Sequence, residues 1–430
     1  MDDQGQQPQR KAHRRTVDPG SPIGRYLAKR AGRSAATLTA AGALRPAKSY
    51  VIGLYPPAAY VERPVSGITG KLVHVSQNKI RHPINCVRWS PRDSGRRLLT
   101  ASSSGEFTLW NGNSFNFETI MQAHEHAIRS LAWSYSGMFL LSGDQAAVVK
   151  YWQPNMNNVN VLHTGHRESV REVVFAPGDR KFATASDDGT LKVWDFNDAQ
   201  EETTLTGHGW DVKCADWHPT KGLLVSGSKD NLVKLWDPRQ PPAQACLATL
   251  HGHKNTVTKA AFQPMVGGGN LLATSSRDQT ARVFDLRQMR DVYVLRGHAK
   301  DVTTLAWHPV HPELLVTGTH DGLINYFLLP SSSRAALARV PAGTPLAART
   351  DAAGGAAATS ATAAMSLTPA RSIQAHDGAV WTLEFHPVGH VLCSGSNDKC
   401  IRFWCRDRPG ASGTPEGYDG RGDDEDYDGQ

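Results

Sequence analysis

Residues 166–195 read HRESVREVVFAPGDRKFATASDDGTLKVWD. Within this stretch VREVVFAP, KFATAS and TLKVWD each alternate apolar and polar side chains, and Gly, Pro and Asp stand between them. Period-two runs of this length, punctuated by turn residues, mark short strands joined by tight turns. Such a small sheet cannot bury its own faces, so it needs neighbours of the same kind.

The neighbours are present on both sides. A histidine recurs at His82, His124, His166, His208, His253, His298 and His376, and 28 to 31 residues after each stands an aromatic: Trp110, Trp152, Trp194, Trp236, Phe284, Phe327 and Trp404. The histidine intervals are 42, 42, 42, 45, 45 and 78. A period of about 40 to 45 residues is the signature of a propeller built from repeated small sheets. The last interval is longer by a low-complexity Ala/Ser/Thr/Gly/Pro stretch at 331–371, which reads as an insertion, not a missing blade. The dipeptides Trp194-Asp195 and Trp236-Asp237 close two repeats, and with these residues the stretch 70–406 resembles the WD-repeat family. In that family each repeat supplies the outer strand of one blade and three strands of the next. The resemblance therefore implies an all-β fold, a seven-bladed WD-repeat β-propeller, with KLVHVS (71–76) as the outermost strand of the last blade.

His, Ser and Asp recur as His166/Ser186/Asp188, His208/Ser228/Asp230 and His376/Ser396/Asp398, followed by Trp194, Trp236 and Trp404. The composition is that of a hydrolase triad, but a nucleophile is needed once and this set repeats. The expected role is structural: the turn aspartate holds the imidazole, the serine hydroxyl accepts from its other side, and the indole N–H completes the network. His253/Ser276/Asp278 and His298/Thr319/Asp321 keep the pattern with Phe284 and Phe327 in place of Trp, so there the last donor is missing. Six residues before Trp110 and Trp152 stand Ser104 and Ala146, and the first two repeats therefore lack the turn aspartate.

Composition narrows the function classes. Forty per cent of the 430 residues are hydrophobic and 20% are charged, enough for a packed interior. No run of 18 apolar residues and no apolar leader region occurs, which predicts a soluble intracellular protein without a membrane partner. The six cysteines contain no C-x-x-C pair, so neither a zinc site nor a disulfide framework is expected. No G-x-G-x-x-G after a strand, phosphate loop, H-E-x-x-H or EF-hand pattern appears, and no cofactor is expected. A binding scaffold, not an enzyme, is the default reading.

The net charge of +7 conceals an asymmetry. Between residues 10 and 48 ten Lys/Arg face one acid, for +9; between 414 and 430 seven acids face Arg421, for −6. Residues 1–69 read as a basic, partly disordered arm and 407–430 as an acidic disordered tail. A basic arm is an electrostatic footprint for a polyanion, nucleic acid first, and equally serves as a nuclear-import signal.

Several stretches resemble one branch of the WD-repeat family, the WD-repeat subunit of the cleavage and polyadenylation specificity factor that matures messenger-RNA 3′ ends. They include RRTVDPGSPIGRYLAKR (14–30), SSGEFTLWNG (103–112), FNFETIMQAH (115–124), KYWQPNMNNV (150–159), DVKCADWHPTKGLLVSGSKD (211–230) and HPVGHVLCSGSND (386–398). The resemblance implies a nuclear, non-catalytic RNA-binding and scaffolding subunit. Its partners would be a large propeller-built scaffold subunit, a zinc-finger subunit and single-stranded pre-mRNA carrying the AAUAAA-type signal. By motif, Phe117 corresponds to the family's stacking phenylalanine and Ile120 to its apolar neighbour. Arg14 and Arg15 correspond to the basic arm, Lys79 and Arg81 to a basic edge. Read from the residues alone, Phe117 alternates with Phe115 in a strand, so one of the two should face the core. One departure stands out: the family's arm carries a second aromatic, and residues 1–25 contain no Phe, Tyr or Trp. Either this version lacks it or the segment that carries it precedes the first residue.

A reading from another class starts from WDPR (236–239) and FDLR (284–287), which resemble the WD-x-R box of substrate receptors of cullin-type ubiquitin ligases.

Overall fold

The computed structural model describes residues 64–77, 81–92, 95–330 and 364–406. Arg14, Arg15, Lys79, the arm up to residue 63, the insertion from 331 to 363 and the tail from 407 lie outside the described residues.

Seven sheets follow one another along the chain, antiparallel apart from one added edge strand. Blade 1 is Ile84–Trp89, Arg97–Ser102, Glu106–Asn111 and Phe117–Gln122; blade 2 begins at Ile128–Trp133 and blade 3 at Val170–Phe175. Blades 4, 5 and 6 begin at Val212–Trp217, Val257–Phe262 and Val302–Trp307. Blade 7 combines Val380–Phe385, Val391–Ser396 and Cys400–Cys405 with the strand Lys71–Gln77, which pairs antiparallel with Cys400–Cys405 as its outermost member. The first strands of neighbouring blades touch around the whole ring, blade 7 to blade 1 included. The chain is thus a closed seven-bladed propeller, fastened where its first strand completes its last sheet.

Closure removes the free edge a linear stack would leave, and burial stabilises it. Seven buried apolar clusters lie one between each pair of neighbours. The seam of blades 7 and 1 holds Ile84, Val87, Trp89, Leu98, Trp110, Ile401 and Phe403. Each fully buried Val, Leu or Phe in such a cluster contributes about 1.5–3 kcal/mol relative to exposure. The blades come close enough at this seam to require glycine: a Cβ on Gly395 would lie 2.9 Å from Ile84 Cγ2. Ion pairs join the first strands of different blades: Arg88 of blade 1 contacts Glu384 of blade 7 at 3.2 Å, and Glu172 of blade 3 takes Lys259 of blade 5 at 2.7 Å.

Two boundaries differ from the sequence reading, and a short strand lies within the expected insertion. Residues 64–69 belong to the propeller, because Ile68 is buried in the cluster between blades 6 and 7 and Thr69 Oγ1 lies 2.9 Å from the Tyr326 hydroxyl. The insertion ends earlier than 371, since Arg371–Gln374 is already the outer strand of blade 6. Within it, Met365–Leu367 adds a fifth strand to blade 5, parallel to Tyr293–Leu295. Among the described residues no helix is long and apolar enough to cross a membrane.

Candidate nucleic-acid interface

The repeated His/Asp sets fall in the turns where each blade meets the previous one. His166 Nδ1 donates to Asp188 Oδ2 at 2.9 Å, and His208 and His376 reach Asp230 and Asp398 at 2.8 Å. The hydroxyl on the other side is not that of Ser186, Ser228 or Ser396. It belongs to the residue two earlier: Thr184, Ser226 or Ser394, at 2.7–2.8 Å from Nε2. The same hydroxyl takes the indole N–H of Trp194, Trp236 or Trp404. Ser186, Ser228 and Ser396 instead accept the backbone N–H of the turn aspartate. The strand register explains the difference: Phe182 lies opposite Trp194, so Thr184, two residues on, projects to the indole's side of the sheet.

Electrostatics fixes the direction of these bonds. Burial pushes the His166 and His208 imidazoles below their ordinary pKa, against the pull of the aspartate. For Asp188 and Asp230 burial opposes ionisation, yet the hydrogen bonds they accept hold both below the usual carboxylate value. At neutral pH the pair is therefore a neutral imidazole and an ionised carboxylate. The hydroxyl then donates to Nε2 while accepting from the indole, the reverse of the direction expected. The Thr184, Ser226 and Ser394 hydroxyls are fully buried between imidazole and indole.

Two other repeats correct the sequence reading. Blade 2 has its aspartate: Asp144, eight residues before Trp152, bonds His124 Nδ1 at 3.0 Å, and Ser142 joins His124 to Trp152. In blade 6 Asp321 accepts from Thr319, and His298 Nδ1 bonds the Gln279 carbonyl at 3.1 Å. Blade 1 does lack the aspartate; there Trp110 donates to Thr100, and Glu106 takes the hydroxyls of Ser102 and Ser104.

Blade 1 also carries Phe117 and Ile120, on its outer strand Phe117–Gln122. Strict alternation would send positions three apart to opposite faces. The strand instead bulges: Phe117 pairs with Trp110 and Thr119 with Leu109, which leaves Glu118 outside the ladder. Ile120 lies opposite Thr108, on the same face as Trp110, so Phe117 and Ile120 share a face that turns toward blade 7. Both are half-buried. Phe117 meets Trp110 edge to face, with ring centroids 6.0 Å apart.

Phe115 is not in that strand. It sits in the preceding turn at φ 58°, stacked on Phe403 at 4.3 Å. Its carbonyl accepts from Ser76. The two phenylalanines do not divide between core and solvent; both pack partly against the seam of blades 7 and 1. His74 stacks beside Phe115 with ring centroids 6.2 Å apart. Arg81 is exposed in the loop that enters blade 1. The structure gathers the two aromatics and Ile120; of the basic candidates it describes Arg81 alone. On the opposite face of blade 1, Glu118 helps line a cleft of about 310 Å³ that carries Arg92, Arg96 and Arg97.

Arg239 and Arg287, the arginines of the WD-x-R resemblance, fold back onto Asp237 and Asp285 two residues earlier, at 2.8–3.2 Å. That fork closes their own turns. Among the described residues no His/Cys/Asp/Glu group is arranged to hold a metal ion. The Cys86 and Cys214 thiols are pushed up to about 12 by burial.

The family profile for the WD domain, G-beta repeat, matches residues 115–153, 158–195, 199–237, 244–285, 289–327 and 367–405. The strands of blade 1 up to Asn111, where the aspartate is missing, fall outside these matches. Over 397 residues the chain is 59% identical to polyadenylation factor subunit 2 of Schizosaccharomyces pombe, covering 92% of this chain and 74% of that protein. It is 47% identical over 412 residues to the protein of that name from Saccharomyces cerevisiae, covering 94% and 79%. With that of Yarrowia lipolytica the identity is 46% over 441 residues, covering 95% and 77%.

Proposed function

Because the chain belongs to the WD-repeat proteins, in the branch whose members are named polyadenylation factor subunit 2, we propose that it is a non-catalytic scaffold and RNA-binding subunit of the nuclear mRNA 3′-end cleavage and polyadenylation complex. It helps to recognise the AAUAAA-type signal in single-stranded pre-mRNA, together with a propeller-built scaffold subunit and a zinc-finger subunit.

The observation that carries the RNA-binding part is the shared face of Phe117 and Ile120 on the bulged outer strand of blade 1. Single-stranded RNA is read by splaying bases onto aromatic side chains while Lys and Arg follow the phosphates. A half-buried phenylalanine braced edge-on by Trp110 is held in one orientation, so little side-chain entropy is lost when a base stacks on it. Ile120 extends the apolar floor beneath the base. Lys79, the arm with Arg14 and Arg15 and, at the other end of the propeller, Arg81 supply the phosphate contacts. The repeated imidazole networks support the non-catalytic part, since each is satisfied internally.

Photocrosslinking of the assembled complex to AAUAAA-containing RNA tests this reading. The attached peptide should contain Phe117. Attachment confined to other subunits would contradict it.

A further inference from the structure

Among the described residues the most exposed aromatic is Trp210, 62% exposed in the loop between blades 3 and 4. Its backbone is fixed. Ser228 donates to the Trp210 carbonyl at 3.0 Å, Gly209 N–H bonds Asp230 at 3.1 Å, and Lys229 N–H bonds the Asp211 carbonyl at 2.9 Å. The loop is thus tied to the same turn that holds His208, and the indole is presented by a rigid support. Lys229 Nζ lies 5.7 Å from its ring centroid.

The surroundings are cationic. Arg167, in the loop entering blade 3, and Lys254, in the loop entering blade 5, occupy equivalent places: each follows the repeated histidine and gives its N–H to the turn aspartate. Arg277 in blade 5 occupies the place that Lys229 takes in blade 4. All four side chains are on exposed residues. Most of the neighbouring carboxylates are already engaged, with Glu168 exposed beside Arg167. Asp187 takes Arg171 and Lys213, Asp211 takes Lys213, and Asp188, Asp230 and Asp278 hold imidazoles. Among the described residues, Lys229 alone of the four has a carboxylate in range, Asp211 at 3.8 Å. A rigid indole within an arc of Arg167, Lys229, Lys254 and Arg277 has the make-up of a single-strand platform: a π-face for a base, cations for its phosphates.

Strand direction places this arc on the end of the propeller that carries the loops joining successive blades, the end on which Arg81 also stands. Phe117 opens its strand from the opposite end. We propose that Trp210, flanked by Arg167, Lys229, Lys254 and Arg277, is a second contact for single-stranded RNA, stacking a base outside the segment held at Phe117. The proposal rests on the RNA-binding reading above and adds to it a site for flanking sequence.

The test uses the assembled complex with two RNAs, the bare AAUAAA hexamer and a longer strand with flanks on both sides. Trp210→Ala should weaken the longer RNA by about tenfold and leave the hexamer unchanged, and Trp210→Phe should restore most of that affinity. Charge reversal at Lys229, Lys254 and Arg277 should weaken the longer RNA and reduce its salt dependence. Phe117→Ala should weaken both RNAs, so its failure on the hexamer would strike the poly(A)-signal reading and not this one. Unchanged binding of the longer RNA by Trp210→Ala would overturn the second site. Dissociation of a protein subunit from the Trp210→Ala complex on gel filtration would overturn it too, marking the indole as a protein contact.

Discussion

The Thr184 hydroxyl lies 2.8 Å from Nε2 of His166, between that imidazole and the indole of Trp194. One small side chain therefore joins the loop that enters a blade to the third strand of its sheet. Thr184→Val keeps the volume and removes the link, leaving a buried imidazole and indole unsatisfied; it should cost about 1–3 kcal/mol in urea unfolding. Asp188→Ala and Asp230→Ala should cost a similar amount, about 1–3 kcal/mol, with affinity for the bare AAUAAA hexamer unchanged. In NMR spectra Ser186→Ala should leave the Trp194 indole signal in place, whereas Thr184→Val should move it.

Acid should loosen the propeller in two stages. Burial depresses His298, His308 and His386 to about 4 in the folded state. Between about 4 and the unfolded value near 6.5 the unfolded chain binds more protons, so stability falls as pH drops through that window. Asp188, Asp230 and Asp398 are depressed as well, and their contribution is lost only below the ordinary carboxylate value, as pH falls toward their folded pKa. Thermal melting from pH 7.5 down to 3 should show a decline beginning near 6.5 that steepens below 4. A flat profile between 6.5 and 4.5 would contradict the assignment of neutral buried imidazoles.

Ring closure is open to the same kind of test. Gly395→Val places branched carbon against Ile84 and Val87 where blade 7 meets blade 1. Overpacking of this kind costs about 1–3 kcal/mol, and a closed ring lets no single blade relax independently. One cooperative transition at lower temperature is the expected outcome. A separate early transition would show that the seam opens on its own.

The blade count was legible because histidine and aromatic are spaced by the period of the sheet itself. The imidazole network was only half legible. A hydroxyl ten residues before the aromatic occurs in all seven repeats, at Thr100, Ser142, Thr184, Ser226, Thr274, Thr317 and Ser394. That regularity, with hairpin register, would have identified the true partner. Asp144 escaped because it ends a strand, two positions before the usual place in the turn, yet still reaches the same imidazole. The common face of Phe117 and Ile120 depends on a bulge at Glu118 that no hydrophobic period announces. The three-residue strand Met365–Leu367 is too short to carry a pattern. Trp210 follows the repeated histidine by two residues, in a loop where packing demands no aromatic, and that mismatch was its only signal.

The basic arm should act through charge alone. Arg14→Ala with Arg15→Ala should weaken binding to any single strand and flatten the dependence of log affinity on log salt by roughly 0.7 for each phosphate left unneutralised. Filter binding across a salt series measures this. An unchanged slope would reduce the arm to a targeting signal.

In the function proposed here, blade 1 stacks a base of the signal on Phe117. The direct measurement is titration of wild-type and Phe117→Ala proteins, each assembled with the scaffold and zinc-finger subunits, into labelled AAUAAA RNA and a scrambled strand at several salt concentrations. Removal of the stacking ring should cost about 1–3 kcal/mol on AAUAAA with the salt slope unchanged, because a stacked base displaces few counterions. Equal affinity of the two complexes for AAUAAA would contradict it.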